Sequence, residues 1–388
     1  MLSKTETVSI VSENPNVMGC SDPSAESLNC AIRALIGNGA SSILVLAAAS
    51  DRWDPDSVEP LLNRCPVPIF GGVFPAIIVG DALFDAGTIV VGLDVSPDVM
   101  LFKGLSQDRE KITELLSEDE FFHKGYGSIT ALIDSRRANA EFFVDSLYDL
   151  LGDNVQTAGG GVGSLTERFV PCLFTNSGLV TDAALLLGFQ DKAIQDSDHG
   201  WKKLDGPFLI SSADGTKLHS LNYQPALTVY REAVERCTNW RFSEQEFRTI
   251  SSLFPLGIEQ PFGPHLVRDP LMTEDDSLVC VGEVPEGAIV QILTGDKEGL
   301  VAAARQVSSA VVNERKSQRS PDPALAMIWD CASRRKFLKQ NFSEELRAIS
   351  DQIPSSDYLV GALTLAEVAN LGAGTMRLLN KSLVMVYP

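Results

Sequence analysis

The same order of predicted elements occurs three times along this chain. Each copy begins with an apolar strand, passes through a helical pattern into a second short strand that ends in glycine, and closes with a further apolar strand. The first strands lie at 42–49, 128–133 and 324–329, and the closing strands lie at 88–93, 183–189 and 382–387. Recurrence of one supersecondary unit predicts a fold assembled from structural repeats.

Each first strand is a continuous apolar run and not an alternating one. Strands of this kind have both faces buried, as in a sheet that is covered by helices. The second strands carry Gly71, Gly159 and Gly361, where a missing side chain permits a close approach of the backbone. We therefore expect an α/β fold of mixed α+β character, in which strand-helix-strand-strand units form mixed sheets flanked by helices.

A different kind of sequence separates the second and third copies, at about 190–315. Strands at 208–212 and 216–220 flank a turn signal, Pro225 predicts the start of a helix, and Asp296 is a candidate cap for the helix at 300–312. The polar run at 195–200 breaks the apolar pattern. We place a domain boundary there, with one domain at 1–198 and a second at 199–388, and we expect a ligand in the cleft between them.

The charge of the chain excludes several classes of partner. The chain has 51 Asp and Glu but 32 Lys and Arg among its 388 residues, and its formal net charge is −19 at pH 7. Such a surface repels nucleic acids and anionic lipids. The longest apolar runs fall far short of the roughly 18 residues of a spanning helix, and residues 1–16 lack the apolar block of a signal peptide. We expect a cytoplasmic protein that binds neither nucleic acid nor membrane, with reduced thiols at its seven scattered cysteines.

Candidate catalytic groups are few. The four histidines have no spacing typical of a zinc site, and Ser164 lacks the glycine pattern of a nucleophile elbow. His199 stands close to Trp201 at the predicted boundary, and His265 lies in a loop rich in proline and aromatic residues. Three aspartates, at positions 51, 134 and 330, follow the first strands, where they either cap the next element or face a functional edge. We expect no enzyme.

Several short patterns together resemble the FIST sensory proteins, over nearly the whole chain. The third copy carries Cys331 and Arg334 in a C-x-x-R arrangement, followed by Gly361, Glu367 and Asn380. The stretches 199–201, 222–226 and 284–287 are also similar to FIST signatures. The resemblance implies a sensory domain of FIST N type followed by one of FIST C type, and it implies that the protein binds a ligand and passes a signal.

Two glycine-rich corners, 70–75 and 159–165, are similar to those of the nitric-oxide-sensing FIST proteins called NosP. That similarity implies a b-type haem that reads nitric oxide, and a histidine kinase or an enzyme of cyclic-di-GMP signalling as partner. Haem iron needs an axial ligand in an apolar cavity. We rank His199 first as that ligand and His265 second. Further candidates for the cofactor site are Trp201, Tyr223, Cys331 and Arg334.

Two other interpretations stay open at this point. A FIST sensor of a small metabolite, such as an amino acid, would need no haem. An enzyme would use Cys331 together with carboxylates of the cleft. The sequence leaves the oligomeric state open, and a homo-oligomer is compatible with it.

Overall fold

The structure is a computed structural model that describes residues 14–20, 22–166, 170–243, 245–318, 323–371 and 374–388. Most of residues 1–16, on which the signal-peptide expectation rests, lie outside these ranges. The described residues form three copies of one unit and a separate antiparallel sheet, so the predicted α/β fold with several mixed sheets is confirmed. No helix in these ranges has the length and apolar character needed to cross a bilayer.

Among the described residues, unit 1 contains two α-helices and six strands. In chain order these are β1 (Val17–Gly19), α1 (Ala25–Gly37), β2 (Ser42–Ala48), α2 (Pro55–Leu62), β3 (Ile69–Phe74), β4 (Ala76–Val79), β5 (Ala82–Phe84) and β6 (Thr88–Leu93). Strands β2 and β3 are parallel, and β6 lies antiparallel on the other side of β2. The parallel pair with a helix between its strands is the element that the apolar run and the following helical pattern predicted.

Unit 2 repeats this order. Its elements are β7 (Asp98–Lys103), α3 (Arg109–Ser117), β8 (Ser128–Asp134), α4 (Ala140–Leu151), β9 (Gln156–Val162), β10 (Leu173–Thr175), β11 (Gly178–Val180) and β12 (Ala183–Phe189). Strands β8 and β9 are parallel, and β12 is antiparallel to β8. Unit 2 therefore matches unit 1 in the pairing of its strands as well as in the order of its elements.

Unit 3 opens with β13 (Ile194–Asp198) and is then interrupted by an insertion. It resumes with α7 (Lys297–Ser317), β22 (Leu325–Cys331), α8 (Ala332–Leu338), α9 (Phe342–Ser350), β23 (Tyr358–Thr364), β24 (Glu367–Leu371), β25 (Thr375–Leu379) and β26 (Leu383–Tyr387). Strands β22 and β23 are parallel, and β26 is antiparallel to β22. Asp296 caps α7 through a hydrogen bond of 2.6 Å from the Gly299 N–H, as predicted.

The insertion, which we call the inserted sheet, is antiparallel. Its elements are β14 (Lys202–Asp214), β15 (Lys217–Leu221), β16 (Gln224–Pro225), α5 (Ala226–Cys237), α6 (Phe247–Ser251), β17 (Leu256–Ile258), β18 (Leu266–Arg268), β19 (Pro270–Glu274), β20 (Ser277–Cys280) and β21 (Ile289–Thr294). The predicted hairpin is confirmed as β14 and β15, and the helix predicted after Pro225 is α5.

The three units exchange hairpins in a closed cycle. The hairpin β4–β5 leaves unit 1 and pairs with β23 of unit 3. The hairpin β10–β11 of unit 2 pairs with β3 of unit 1, and β24–β25 of unit 3 pairs with β9 of unit 2. Each unit thereby completes the six-stranded sheet of another.

The register of the parallel pairs explains the recurring glycine. Gly71 lies opposite Val45, Gly159 opposite Ala131, and Gly361 opposite Ile328. A Cβ atom at Gly159 would stand 1.9 Å from the Ala131 carbonyl oxygen. Each unit therefore requires glycine at this position, because the backbone of its first strand lies too close to leave room for a Cβ atom.

The predicted boundary at 198/199 falls between β13 and the inserted sheet. Residues 194–198, which the polar pattern presents as a break, are a strand that pairs antiparallel with β26. Strands from 1–198 and from 199–388 pair with one another in two of the three six-stranded sheets, through β9–β24, β4–β23 and β13–β26. Phe74 of unit 1 and Trp329 of unit 3 are fully buried and pack against each other, with ring centroids 5.7 Å apart.

Candidate functional site

Arg334 is the centre of a buried ionic cluster at the start of α8. The side chain is fully buried and donates to both carboxylate oxygens of Glu345, at 3.0 and 2.8 Å. Its remaining N–H groups bond the carbonyl oxygens of His199 (2.6 Å), Leu300 (3.1 Å) and Lys381 (3.3 Å). Because all five donors of the guanidinium have acceptors, Arg334 holds four segments together and has none left for a ligand.

Asp330 is the second acid of this cluster. Its carboxylate is fully buried and lies 3.4 Å from the Arg334 Nε, and neither oxygen has a hydrogen bond among the described residues. Burial, followed by the charge of Glu345, raises the pKa of Asp330 well above its ordinary value. Burial thus favours the neutral form of Asp330, and the close charge pair of the cluster is that of Arg334 with Glu345.

Cys331 and Glu367 form a second buried pair beside this cluster. Glu367 accepts hydrogen bonds from the Thr364 hydroxyl (2.7 Å) and the Ser382 N–H (3.2 Å), and burial raises its pKa to about 8. Burial also raises the pKa of the Cys331 thiol, and the Glu367 carboxyl adds to this effect. A protonated, buried thiol is a poor nucleophile, so the arrangement argues against Cys331 as the reactive group of an enzyme.

His199 lies in the turn that links β13 to the inserted sheet. Its imidazole is 4% exposed, and its Nδ1 accepts a hydrogen bond of 2.8 Å from the Trp201 N–H. Burial lowers the pKa of His199 to about 4. The ring is therefore neutral at pH 7, and since Nδ1 accepts, the proton resides on Nε2. That Nε2 makes no hydrogen bond of good geometry among the described residues, and the His265 backbone is the polar group that approaches the ring.

Lys381 lies next to His199, in the turn before β26. Its ammonium stands 4.6 Å from the centre of the Trp201 ring, 3.3 Å from an Asp269 carboxylate oxygen and 3.0 Å from the Ser252 carbonyl oxygen. The side chain is 2% exposed. Asp269 and Ser252 belong to the inserted sheet and its helix α6, whereas Lys381 belongs to unit 3, so the ammonium connects the two parts.

Several buried polar atoms have no partner among the described residues, and each belongs to a residue that contacts Lys381 or lies within two positions of Lys381 or of such a residue. They are Trp201 Nε1, Ser251 Oγ, Asp269 Oδ1, Asn380 Nδ2 and the Nε2 of His199. Buried polar groups without a partner are uncommon, and each needs water, a ligand or a functional reason. We name this set of residues, with Lys381, the junction site.

The structure separates the other sequence-predicted residues from the junction site or places them at its edge. Tyr223 is 82% exposed on the turn between β15 and β16, with φ of 64°. His265 is partly buried in the loop before β18, and its backbone approaches the His199 ring. His123 is exposed, and His219 shares a hydrogen bond of 3.1 Å with the Ser277 hydroxyl.

A haem at His199 does not fit this geometry. An axial imidazole must offer a lone pair to the iron, but Nδ1 of His199 is occupied by the Trp201 N–H and Nε2 carries the proton. No group of three or more His, Cys, Asp or Glu side chains in the described ranges is arranged to hold a metal ion. His265, Tyr223 and Cys331 as iron ligands stay predictions.

Sequence reasoning missed Lys381, Asp269 and Ser251. The signal for Lys381 was its position between Asn380 and the last strand, where an apolar run is preceded by a cation. Asp269 and Ser251 carry no such signal, because they approach Lys381 only through the folding of the inserted sheet.

The comparisons with known proteins agree with this architecture. The chain matches the FIST N domain over residues 43–224 and the FIST C domain over residues 226–370. The two matches meet at the start of α5. A comparison with curated proteins gave no match. The FIST domains are sensory domains that bind small ligands in signal transduction, and the two matches cover most of the chain, which therefore belongs to the FIST family of sensors.

Proposed function

We propose that the junction site receives the small ligand of this sensor. The observation that carries the proposal is the set of unpaired polar atoms on Trp201, Ser251, Asn380 and His199, all on residues at least nine-tenths buried. Unpaired polar groups of this kind raise the free energy of the protein by about 1–3 kcal/mol each. A ligand that supplies the missing partners recovers that free energy on binding.

The chemistry of the site selects a small polar ligand that combines acceptors with a donor. Trp201 and Asn380 offer N–H donors, and the neutral His199 offers its Nε2–H. The free oxygen of Asp269 is an acceptor, beside the ammonium of Lys381. A carboxylate on the ligand complements the donors and an ammonium complements Asp269, which is the pattern of an amino acid.

The position of the site supplies a route for the signal. Trp201 lies directly before β14, and Asp269 lies between β18 and β19 of the inserted sheet, whereas Asn380 and Lys381 belong to unit 3. A ligand that bonds to both parts changes the free energy of their relative placement. We propose that a separate protein reads this change, and that it is a histidine kinase or an enzyme of cyclic-di-GMP signalling, as the family resemblance implies.

Haem-based sensing of nitric oxide is the second candidate. The similarity of 70–75 and 159–165 to the nitric-oxide-sensing FIST proteins supports it. In that case a residue other than His199 has to hold the iron, because neither ring nitrogen of His199 offers it a lone pair in this structure. A metabolite sensor is the candidate that the hydrogen bonds of His199 favour.

Absorbance and thermal unfolding distinguish the two candidates. The protein is expressed with a haem precursor supplied, and its spectrum is recorded oxidised, reduced and with nitric oxide. We expect no stoichiometric Soret band. We expect one or more of the twenty amino acids to raise the melting temperature of the colourless protein.

A matched pair of variants assigns the effect to the junction site. Trp201→Phe removes the unpaired N–H and keeps a ring beneath Lys381, and we expect it to abolish the ligand-dependent rise. Trp240→Phe, in a partly buried tryptophan outside the site, leaves that rise unchanged. A Soret band that shifts with nitric oxide, or a rise that survives Trp201→Phe, would contradict the proposal.

A further inference from the structure

The outer face of unit 1 carries an open groove between α1 and α2. Its volume is about 860 Å³, and Ile36, Leu61 and Cys65 contribute apolar surface to it. Leu61 and Ile36 are partly exposed there, although both also pack against the core. The groove lies on unit 1 and shares no residue with the junction site.

The equivalent helices of the other units are covered. In unit 2 the inserted sheet reaches α3 and α4, where Glu283 pairs with Arg109 and Arg268 pairs with Glu141. In unit 3 the helix layer contains α7, α8 and α9, and α7 has 21 residues against 13 in α1. In the described part of the chain, unit 1 has neither a sheet nor further helices over α1 and α2. These two helices therefore remain without a cover.

The charge at the groove is opposite to that of the whole chain. Arg33 and Arg64 line it, with Glu26 as the one acidic lining residue. Neither guanidinium has a hydrogen bond or an ion pair to a described residue, and both side chains belong to exposed residues. On a chain with a net charge of −19, two free guanidinium groups above an apolar floor form a local site of the opposite sign.

From these observations we propose that the α1–α2 groove is a docking surface for an acidic amphipathic helix of a partner protein. The apolar face of such a helix fills the space between α1 and α2 in the helix-in-groove mode. Its carboxylates pair with Arg33 and Arg64, where bidentate geometry favours arginine. The proposal does not depend on which ligand the junction site takes.

A pair of synthetic helical peptides tests the proposal. Both have leucine on one face, and the polar face is glutamate in one and lysine in the other. We expect the full-length protein to bind the glutamate peptide more tightly, measured by fluorescence anisotropy. This is a demanding result, because the overall charge of the protein attracts the lysine peptide.

Charge reversal identifies the surface. In the double variant Arg33→Glu, Arg64→Glu we expect the affinity for the glutamate peptide to fall by roughly tenfold or more and the preference to reverse. The control variant Arg305→Glu, Lys316→Glu changes the total charge equally on two exposed cations of α7 and keeps the original preference. Circular dichroism establishes that both variants are folded.

Two results would overturn the proposal. One is an unchanged peptide affinity in the folded Arg33→Glu, Arg64→Glu protein. The other is a wild-type dimer in sedimentation experiments that the same double variant dissociates, since the groove would then belong to a second copy of the chain.

Discussion

Arg334 shows how one residue decides whether a motif is structural or functional. A buried guanidinium is tolerated only when its charge is balanced and its donors are satisfied. Glu345 provides the charge, and three carbonyl oxygens from separate segments complete the hydrogen bonds. The C-x-x-R arrangement therefore supports the turn that holds His199 and the turn that holds Lys381, which are both parts of the junction site.

Replacing Arg334 with lysine should destabilise the protein strongly. Lysine keeps the charge, but it cannot pair with both oxygens of Glu345 and three carbonyl groups at once. We expect the free energy of unfolding to fall by about 3–5 kcal/mol, measured by urea denaturation. Arg335→Lys is the control, because Arg335 pairs with Asp85 on the surface and its exchange should cost less than about 1 kcal/mol. Equal losses in the two variants would refute the central role of Arg334.

Glu367 makes the stability of the protein depend on pH. The folded state keeps its proton up to a pKa of about 8, whereas the unfolded state loses it near 4.5. Between these values the folded state binds more protons, so the free energy of unfolding falls as the pH rises, by up to about 1.4 kcal/mol per pH unit. Asp330, whose pKa is also raised by burial, contributes with the same sign.

The slope of stability against pH in Glu367→Gln measures this effect. We expect the decline between pH 5 and pH 8 to become shallower, because the amide cannot ionise. Glu344→Gln, at an exposed carboxylate that pairs with Lys297, should leave the slope as it is. A slope that is identical in wild type and Glu367→Gln would show that Glu367 is ionised in the folded protein.

The sequence predicted which residues lie near the candidate site better than it predicted which residues they contact. Cys331, Arg334, His199 and Trp201 were identified from the sequence, and the fold brings all four to one region. The reason that they meet was not visible, since the hydrogen bonds of Arg334 to His199 and Lys381, and the contact of Lys381 with Trp201, join residues far apart in the chain. Tyr223 shows the converse, because its motif lies on an exposed turn.

At the scale of elements, the glycine of each second strand is a steric requirement of the parallel pair. In Gly361→Ala the added Cβ would lie 2.2 Å from the Ile328 carbonyl oxygen, so β22 and β23 must separate. We expect a loss of about 3 kcal/mol in the free energy of unfolding. In Gly37→Ala, at the end of α1, the Cβ meets no atom within 4 Å.

Thermal denaturation compares the two alanine variants directly. Gly361→Ala should melt at a clearly lower temperature, and Gly37→Ala should melt at the wild-type temperature or slightly above it. A Gly361→Ala protein with wild-type stability would mean that the parallel strands can move apart freely, against the register described here.

Long apolar strands were predictable as elements, but the short hairpins were not. The runs that became β2, β8 and β22 bury both faces, and this leaves a continuous apolar signal in the sequence. The hairpin β10–β11 consists of two three-residue strands, too short for a periodic pattern. Its pairing with β3 is set by the neighbouring unit and leaves no local trace.

At the scale of the whole molecule, the exchange of hairpins joins the two halves of the chain. A fragment of residues 1–198 would contain β4–β5 without β23, and β9 without β24. The fragment would expose unpaired strand edges together with apolar surface, and such edges promote aggregation. The insertion, in contrast, interrupts unit 3 between β13 and α7 without taking part in the exchange.

Fragments divided at 198/199 therefore should not fold independently. We expect 1–198 alone to aggregate or to lack a cooperative thermal transition, and we expect co-expression of 1–198 with 199–388 to yield a soluble complex that melts cooperatively. Circular dichroism and size-exclusion chromatography measure both properties. A monomeric 1–198 fragment with a sharp transition of its own would show that the first two units form a domain without the third. In that case the strand pairs between 1–198 and 199–388 would not be needed for the first half to fold. The two-domain organisation expected from the sequence would then hold.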